Sequence, residues 1–284
     1  MITVFAFTDP VCVWCWAAEA LLRALETHYP GTVDIRHIAG GMIKDIKDFE
    51  DSGAGLVGRQ SMDEINASIA RHYEETASTH GMPVMTEGFR LFSEAHPSSW
   101  PQNIAFKAAQ IASPQNAHRF LRRVRQATMA QALPTGEAQV LYELAGASGI
   151  DLKAYAKALT DGSALAAFEE DLRFGAENSV DLFPTFILKY KDRSLRLSGF
   201  VPYQDFSAAI TRLSQGEVLP QASPPEDEAL LALTQKYQTL SAEEIRQAFD
   251  FDQGLKPEAW CKRLEKDGRL LKAPLGQSWV IQGV

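Results

Sequence analysis

The chain has 284 residues, 45% of them hydrophobic and 23% charged, with a formal net charge of -8 at pH 7. This is ordinary globular material with enough length for a sizeable core, which excludes general disorder. The acidic balance argues against nucleic acid as the main ligand, because phosphate binding needs a positive surface, and no apolar run reaches membrane-spanning length.

Ile2-Thr3-Val4-Phe5-Ala6-Phe7 predicts a first strand. A strand starting at Ile2 leaves no room for a signal peptide, so a cytoplasmic location is expected. Cys12-Val13-Trp14-Cys15 follows and opens an amphipathic stretch. Ala18, Leu21, Leu22, Leu25 and Tyr29 recur there at helical spacing until Pro30-Gly31 stops it. A strand that delivers two thiols to a helix start reads as a thioredoxin-like redox site. The free N–H groups and dipole of the helix start favour a thiolate, which assigns Cys12 as the attacking sulfur and Cys15, one turn further in, as the resolving one. Half of a structural zinc site is the alternative, but zinc usually takes four ligands and the only other cysteine is Cys261. A pair of inert core thiols is opposed by Asp9-Pro10, which reads as a surface turn.

Val33 to Ile38 predicts a second strand, parallel to the first across the crossover helix, with His37 read as a strand histidine. After Gly40-Gly41 the strand signal disappears until about Val180. The capping box Ser61-x-x-Glu64 opens a helix that Gly81-Met82-Pro83 closes, Pro101 begins another, and further helices fit 115–131, 136–148, 152–159 and 163–178. Strand character returns at Phe183-Pro184-Thr185-Phe186 through Tyr190. It turns at Lys191-Asp192-Arg193, continues through Leu195 and Leu197 to Gly199, and is followed by a helix from Pro202 carrying Tyr203, Phe206, Ile210 and Leu213. The order βαβ, helices, ββα predicts an α/β thioredoxin fold split by an all-helical insertion.

Asp9-x-x-Cys12-x-x-Cys15-Trp16, the insertion and Phe183-Pro184-Thr185 together resemble the DsbA-like thiol–disulfide oxidoreductases over about residues 1–215. The resemblance implies a cis proline at Pro184 facing the thiols and a substrate-binding surface of Trp14, Phe183, Pro184 and Thr185. Its periplasmic oxidants carry Pro-His between the cysteines where this chain has Val13-Trp14, so a less depressed thiol pKa and a more reducing couple are expected. The glutathione-dependent branch has serine in place of Cys12, and the intact pair argues against it.

Residues 216–227, with Pro220, Pro224 and Pro225, read as a linker. Beyond it a helix near 226–238, the capping box Ser241-x-x-Glu244, a helix opened by Pro257 with Trp260, and Leu270-Leu271 and Trp279-Val280-Ile281 around Gly276 suggest a small winged-helix-like module. Its Lys262, Arg263, Lys266, Arg269 and Lys272 are offset by Glu258, Glu265 and Asp267, which favours a solvated face over a DNA-binding one. Cys261 reads as a packed thiol. The expected organisation is 1–60 and 180–215 as the two halves of the thioredoxin fold, 61–179 as the inserted helical subdomain, and 228–284 as the C-terminal module.

The expected activity is dithiol–disulfide exchange on protein or small-molecule disulfides, as an oxidoreductase or isomerase enzyme. It would use the Cys12–Cys15 pair itself, with no metal, bound nucleotide or membrane partner. The whole layout also looks like the cytosolic DsbA-like adaptors that present a regulator to the ClpXP protease. That resemblance implies instead a non-catalytic adaptor or redox-sensing protein holding a protein partner through the C-terminal module.

Overall fold

The computed structural model describes residues 1–58, 60–251 and 255–284. Strand β1 (Ile2–Thr8), helix α1 (Val13–His28) and strand β2 (Val33–Ala39) form a parallel βαβ unit, with Ile2 opposite Val33 and Thr8 opposite Ala39. Strands β3 (Thr185–Tyr190) and β4 (Arg193–Ser198) complete the sheet as an antiparallel hairpin beside β1, giving the order β2-β1-β3-β4. The alternation of β1 and β3 sends Ile2, Val4, Ala6, Phe186 and Leu188 to one face. There they pack against Leu21, Leu22 and Leu25 of α1 and against Phe206 and Ile210 of α8 (Tyr203–Leu213). Each of these side chains except that of Ala6 contributes about 1.5–3 kcal/mol through burial.

Helices α2 (Met62–His80), α3 (Trp100–Ala112), α4 (Pro114–Gln131), α5 (Ala138–Ala147), α6 (Leu152–Thr160) and α7 (Ser163–Glu177) lie between β2 and β3. The capping box at Ser61 and Glu64 is formed, and the left-handed Gly81 ends α2. Phe106, Phe120, Leu141, Tyr155 and Phe168 make the core of this part. Phe174 of α7 covers the second face of the sheet through Phe5 and Phe7.

The C-terminal part runs α9 (Asp227–Tyr237), β5 (Thr239–Ser241), α10 (Ala242–Ala248), α11 (Pro257–Lys266), β6 (Leu270–Leu275) and β7 (Ser278–Gly283), a winged-helix-like order around Leu230, Ile245, Trp260, Leu264 and Ile281. Strand β5 was not legible in the sequence, being three residues long and paired only with β7. The segment read as a linker is packed down. The Gln221 amide donates to the His28 carbonyl at 2.7 Å, and the Ser223 amide to Asp250 at 2.7 Å. Two expectations are corrected. The strand expected from Phe183 starts at Thr185, because Pro184 has no N–H for a ladder. The expected surface turn at Asp9-Pro10 is buried instead, with Asp9 0% exposed. Among the described residues, no helix is long and apolar enough to cross a membrane.

Candidate functional site

Cys12 is the N-cap of α1: its Sγ accepts from the Cys15 amide at 3.3 Å, and its thiol donates to the Phe183 carbonyl at 3.5 Å. The loop that presents it is held by Asp9. That carboxylate accepts from the amides of Val11 (3.0 Å) and Met42 (2.8 Å), from Ser99 Oγ (3.2 Å) and from Asn103 Nδ2 (2.8 Å). Tyr73 adds a hydrogen bond to the Val11 carbonyl. Trp16 fixes the first turn of α1 by donating from Nε1 to the Pro83 carbonyl at 2.9 Å.

Both thiols are free and buried, Cys12 at 5% and Cys15 at 1% exposure. Burial, which the helix-start argument leaves out, acts on both. Burial pushes the Cys12 thiol well above its ordinary value, and its hydrogen bond to Cys15 adds to that. Burial also raises Cys15. The Cys12 thiol, the Arg125 charge and the Thr8 hydroxyl outweigh it, so Cys15 falls below the ordinary thiol value. The helix-start argument missed Arg125 because it enters from α4, more than a hundred residues away in sequence.

The Phe183 carbonyl reaches the Cys12 thiol, and the Phe183–Pro184 peptide bond is cis. The Pro184 carbonyl accepts from the Gly199 amide at 2.8 Å, and Thr185 Oγ1 turns back to the Leu182 carbonyl at 2.7 Å. Trp14 is half-buried with its ring against His80 and Phe200, on the rim of a cleft of about 500 Å3. Val13, Met42, Phe49, Leu56 and Phe183 give this cleft an apolar lining, and Glu50, Asp51 and Asp181 stand around it. Gly40, read only as a strand end, proves necessary to this wall. A Cβ there would lie 2.3 Å from the Phe183 ring. Glu19 and Arg23, also unassigned in the sequence, are charged residues on an otherwise apolar helix face. That mismatch was the available signal. Among the described residues, no cluster of three or more His, Cys, Asp or Glu side chains is arranged to hold a metal ion.

The sequence model of a family described as Thioredoxin matches residues 5–208. The ClpXP adapter protein SpxH of Bacillus subtilis is 24% identical over 97% of this chain and 88% of its own length. The protein of the same name from Shouchella clausii is 28% identical over 87% of this chain and 77% of its own. Among solved structures, the cytosolic disulfide reductase DsbM from Pseudomonas aeruginosa aligns with a TM-score of 0.53 at 23% identity, covering 76% of this chain and 93% of that one. A 2-hydroxychromene-2-carboxylate isomerase aligns with a TM-score of 0.52 at 16% identity, covering 75% and 96%. These two structures share a fold and differ in chemistry, so likeness to them carries no activity. The expectation of a thiol–disulfide oxidoreductase enzyme is corrected: the curated relatives that match along the chain carry the name of ClpXP adapter proteins. Fold, cysteine pair and match together make this chain a member of the thioredoxin family, DsbA-like in its helical insertion and extended at its C-terminus.

Proposed function

We propose that this chain is a non-catalytic thioredoxin-fold adaptor that holds a partner protein and presents it to a protease such as ClpXP. One observation carries the reading. The match to the adapter proteins extends through the C-terminal module, to 97% of the chain, whereas the family model stops at residue 208 and the reductase structure covers 76%. Disulfide exchange has no need of a second module bonded to the redox helix; a protein that must hold two partners does.

In this reading the cleft beside Trp14 and Phe183 receives a partner segment, with Pro184 and Thr185 supporting its wall. An apolar lining with carboxylates at the rim suits an amphipathic segment carrying lysine or arginine. Cys12 and Cys15 remain able to form a disulfide without turning over substrate, no metal or nucleotide takes part, and the protein works in the cytoplasm beside the protease. The reading is tested by proteome-wide turnover in cells with and without this chain. A small set of proteins should gain about tenfold in half-life without it, and the same set should be stabilised when the protease is removed. Turnover unchanged for every protein would overturn the adaptor reading.

A further inference from the structure

The C-terminal module and the thioredoxin fold together enclose a second cavity, of about 790 Å3, between the end of α2, the start of α8 and the end of α10. Its size falls within that of ligand sites, roughly 300–1,000 Å3, and it lies where such sites concentrate, between two parts of a fold. It also adjoins the thiol cleft. Trp14 lines the cleft, and the two rings against Trp14, His80 with its centroid 6.0 Å away and Phe200 at 5.8 Å, line the cavity. One extended segment crossing Trp14 would therefore reach both.

The walls offer oxygens and ring faces. Ser78 and Thr79, in the last turn of α2, line the cavity, and their carbonyls accept no hydrogen bond among the described residues. The last carbonyls of a helix point out of its end and carry its partial negative charge. Tyr203 comes from α8, and Phe249 and the carboxylates of Glu243 and Asp250 come from the module. The Asp250 side chain is 57% exposed, with one oxygen toward His28 and the other taking the Ser223 amide. Among the described lining residues Arg246 is the only lysine or arginine, and it is already forked onto Glu243 at 2.7 and 2.5 Å. Such a wall suits an added cation. A guanidinium suits it better than an ammonium, because its planar fork can meet two acceptors while its face lies on a ring.

We propose that this cavity is a second partner site, which takes an arginine side chain from the protein that the adaptor holds. The source of that arginine rests on the adaptor reading, whereas the preference of the cavity for a guanidinium rests on its walls alone. The module would then supply part of the binding surface, which gives it a use that the thiol cleft by itself does not. The net charge of -8 on the chain favours the approach of a basic segment in the same direction.

The test is an NMR titration of the full chain, kept reduced, with N-acetyl-arginine methylamide and with the citrulline compound, which has the same shape and no charge. The arginine probe should shift the amides of Thr79, Gly81, Tyr203 and Asp250 saturably, and the citrulline probe should bind at least about fivefold more weakly. Gln204 lines the cavity and its side chain is exposed, so its charge can be changed without disturbing the core. Gln204→Glu should tighten the arginine probe and Gln204→Lys should weaken it, each by about threefold. In cells that lack the chain, Gln204→Lys should restore turnover of the stabilised proteins less well than Gln204→Glu. Absence of a saturable shift, equal binding of the two probes, or equal behaviour of the two variants in either setting would overturn the proposal. All of these leave the adaptor reading standing, which falls only if turnover is the same with and without the chain.

Discussion

His80 accepts the Met82 amide at Nδ1, 3.1 Å away, and its Nε2 is buried without a partner, so the folded chain holds it as a neutral ring. Burial lowers its pKa to about 4. His37 and His118 stack with ring centroids 4.0 Å apart and are driven well below the ordinary range in the same way, by burial first. For His37 the Arg125 and Arg23 charges add to it, and for His118 the facing His37 and Arg23 do. A histidine whose folded pKa is depressed binds its proton in the unfolded chain first. Between the ordinary 6.5 and about 4, each fall in pH therefore favours unfolding. His80 alone should remove roughly 3 kcal/mol by the bottom of that window. Urea midpoints at pH 7 and pH 4.5 measure this. The midpoint should drop markedly in wild type and less in His80→Asn, whose amide oxygen can accept the Met82 N–H without titrating. Equal drops in the two proteins would show that His80 carries none of the effect.

At the scale of elements, the turn between β6 and β7 shows how the module is seated. Gly276 has φ +55, and a Cβ there would lie 2.3 Å from the Val84 carbonyl oxygen. The adjoining Pro83 carbonyl is the one that Trp16 holds beside the thiols. In a free winged helix this turn would project into solvent, and here it rests on the segment after α2. Two of the module's cations are engaged as well, Arg263 with Asp227 and Arg269 with Glu228. Gly276→Ala should cost about 2–4 kcal/mol, because it adds left-handed backbone strain to a collision with main chain. The measurement is urea unfolding with limited proteolysis of the hairpin, and a change below about 0.5 kcal/mol would mean that the turn is not seated as described. The elements themselves were legible because their signals are local. Capping boxes at Ser61 and Ser241, prolines at helix starts and the alternation of β1 and β3 act within a few residues. Seating was not legible, because it depends on contacts such as Gly276 to Val84 that join residues 192 positions apart.

For the whole molecule, the sequence carried the fold and the position of the thiol pair. The periods of 2 and 3.6, the C-x-x-C and the proline before β3 all point to one architecture. It could not carry the state of the thiols. Local reasoning at the start of α1 favours a thiolate on Cys12, whereas deep burial raises both thiols and Arg125 on α4 and Thr8 at the end of β1 act to lower Cys15. Nor could it weigh catalysis against presentation, since both uses of the fold need the same core and differ in what is attached to it. The attached part is bonded to the redox helix through Thr27 donating to the Ala248 carbonyl at 2.6 Å and through His28 and Asp250 at 3.2 Å, and to α4 through Arg122 and Glu244. In the adaptor reading, handover of a partner would depend on surface rather than on sulfur exchange. Cys12→Ser separates the two most directly. It removes the N-cap sulfur assigned as the attacking group while leaving Cys15 and the module in place. Returned to cells that lack the chain, it should restore degradation of the stabilised proteins to at least about half the wild-type rate. Restoration by wild type together with none by Cys12→Ser would contradict the adaptor account.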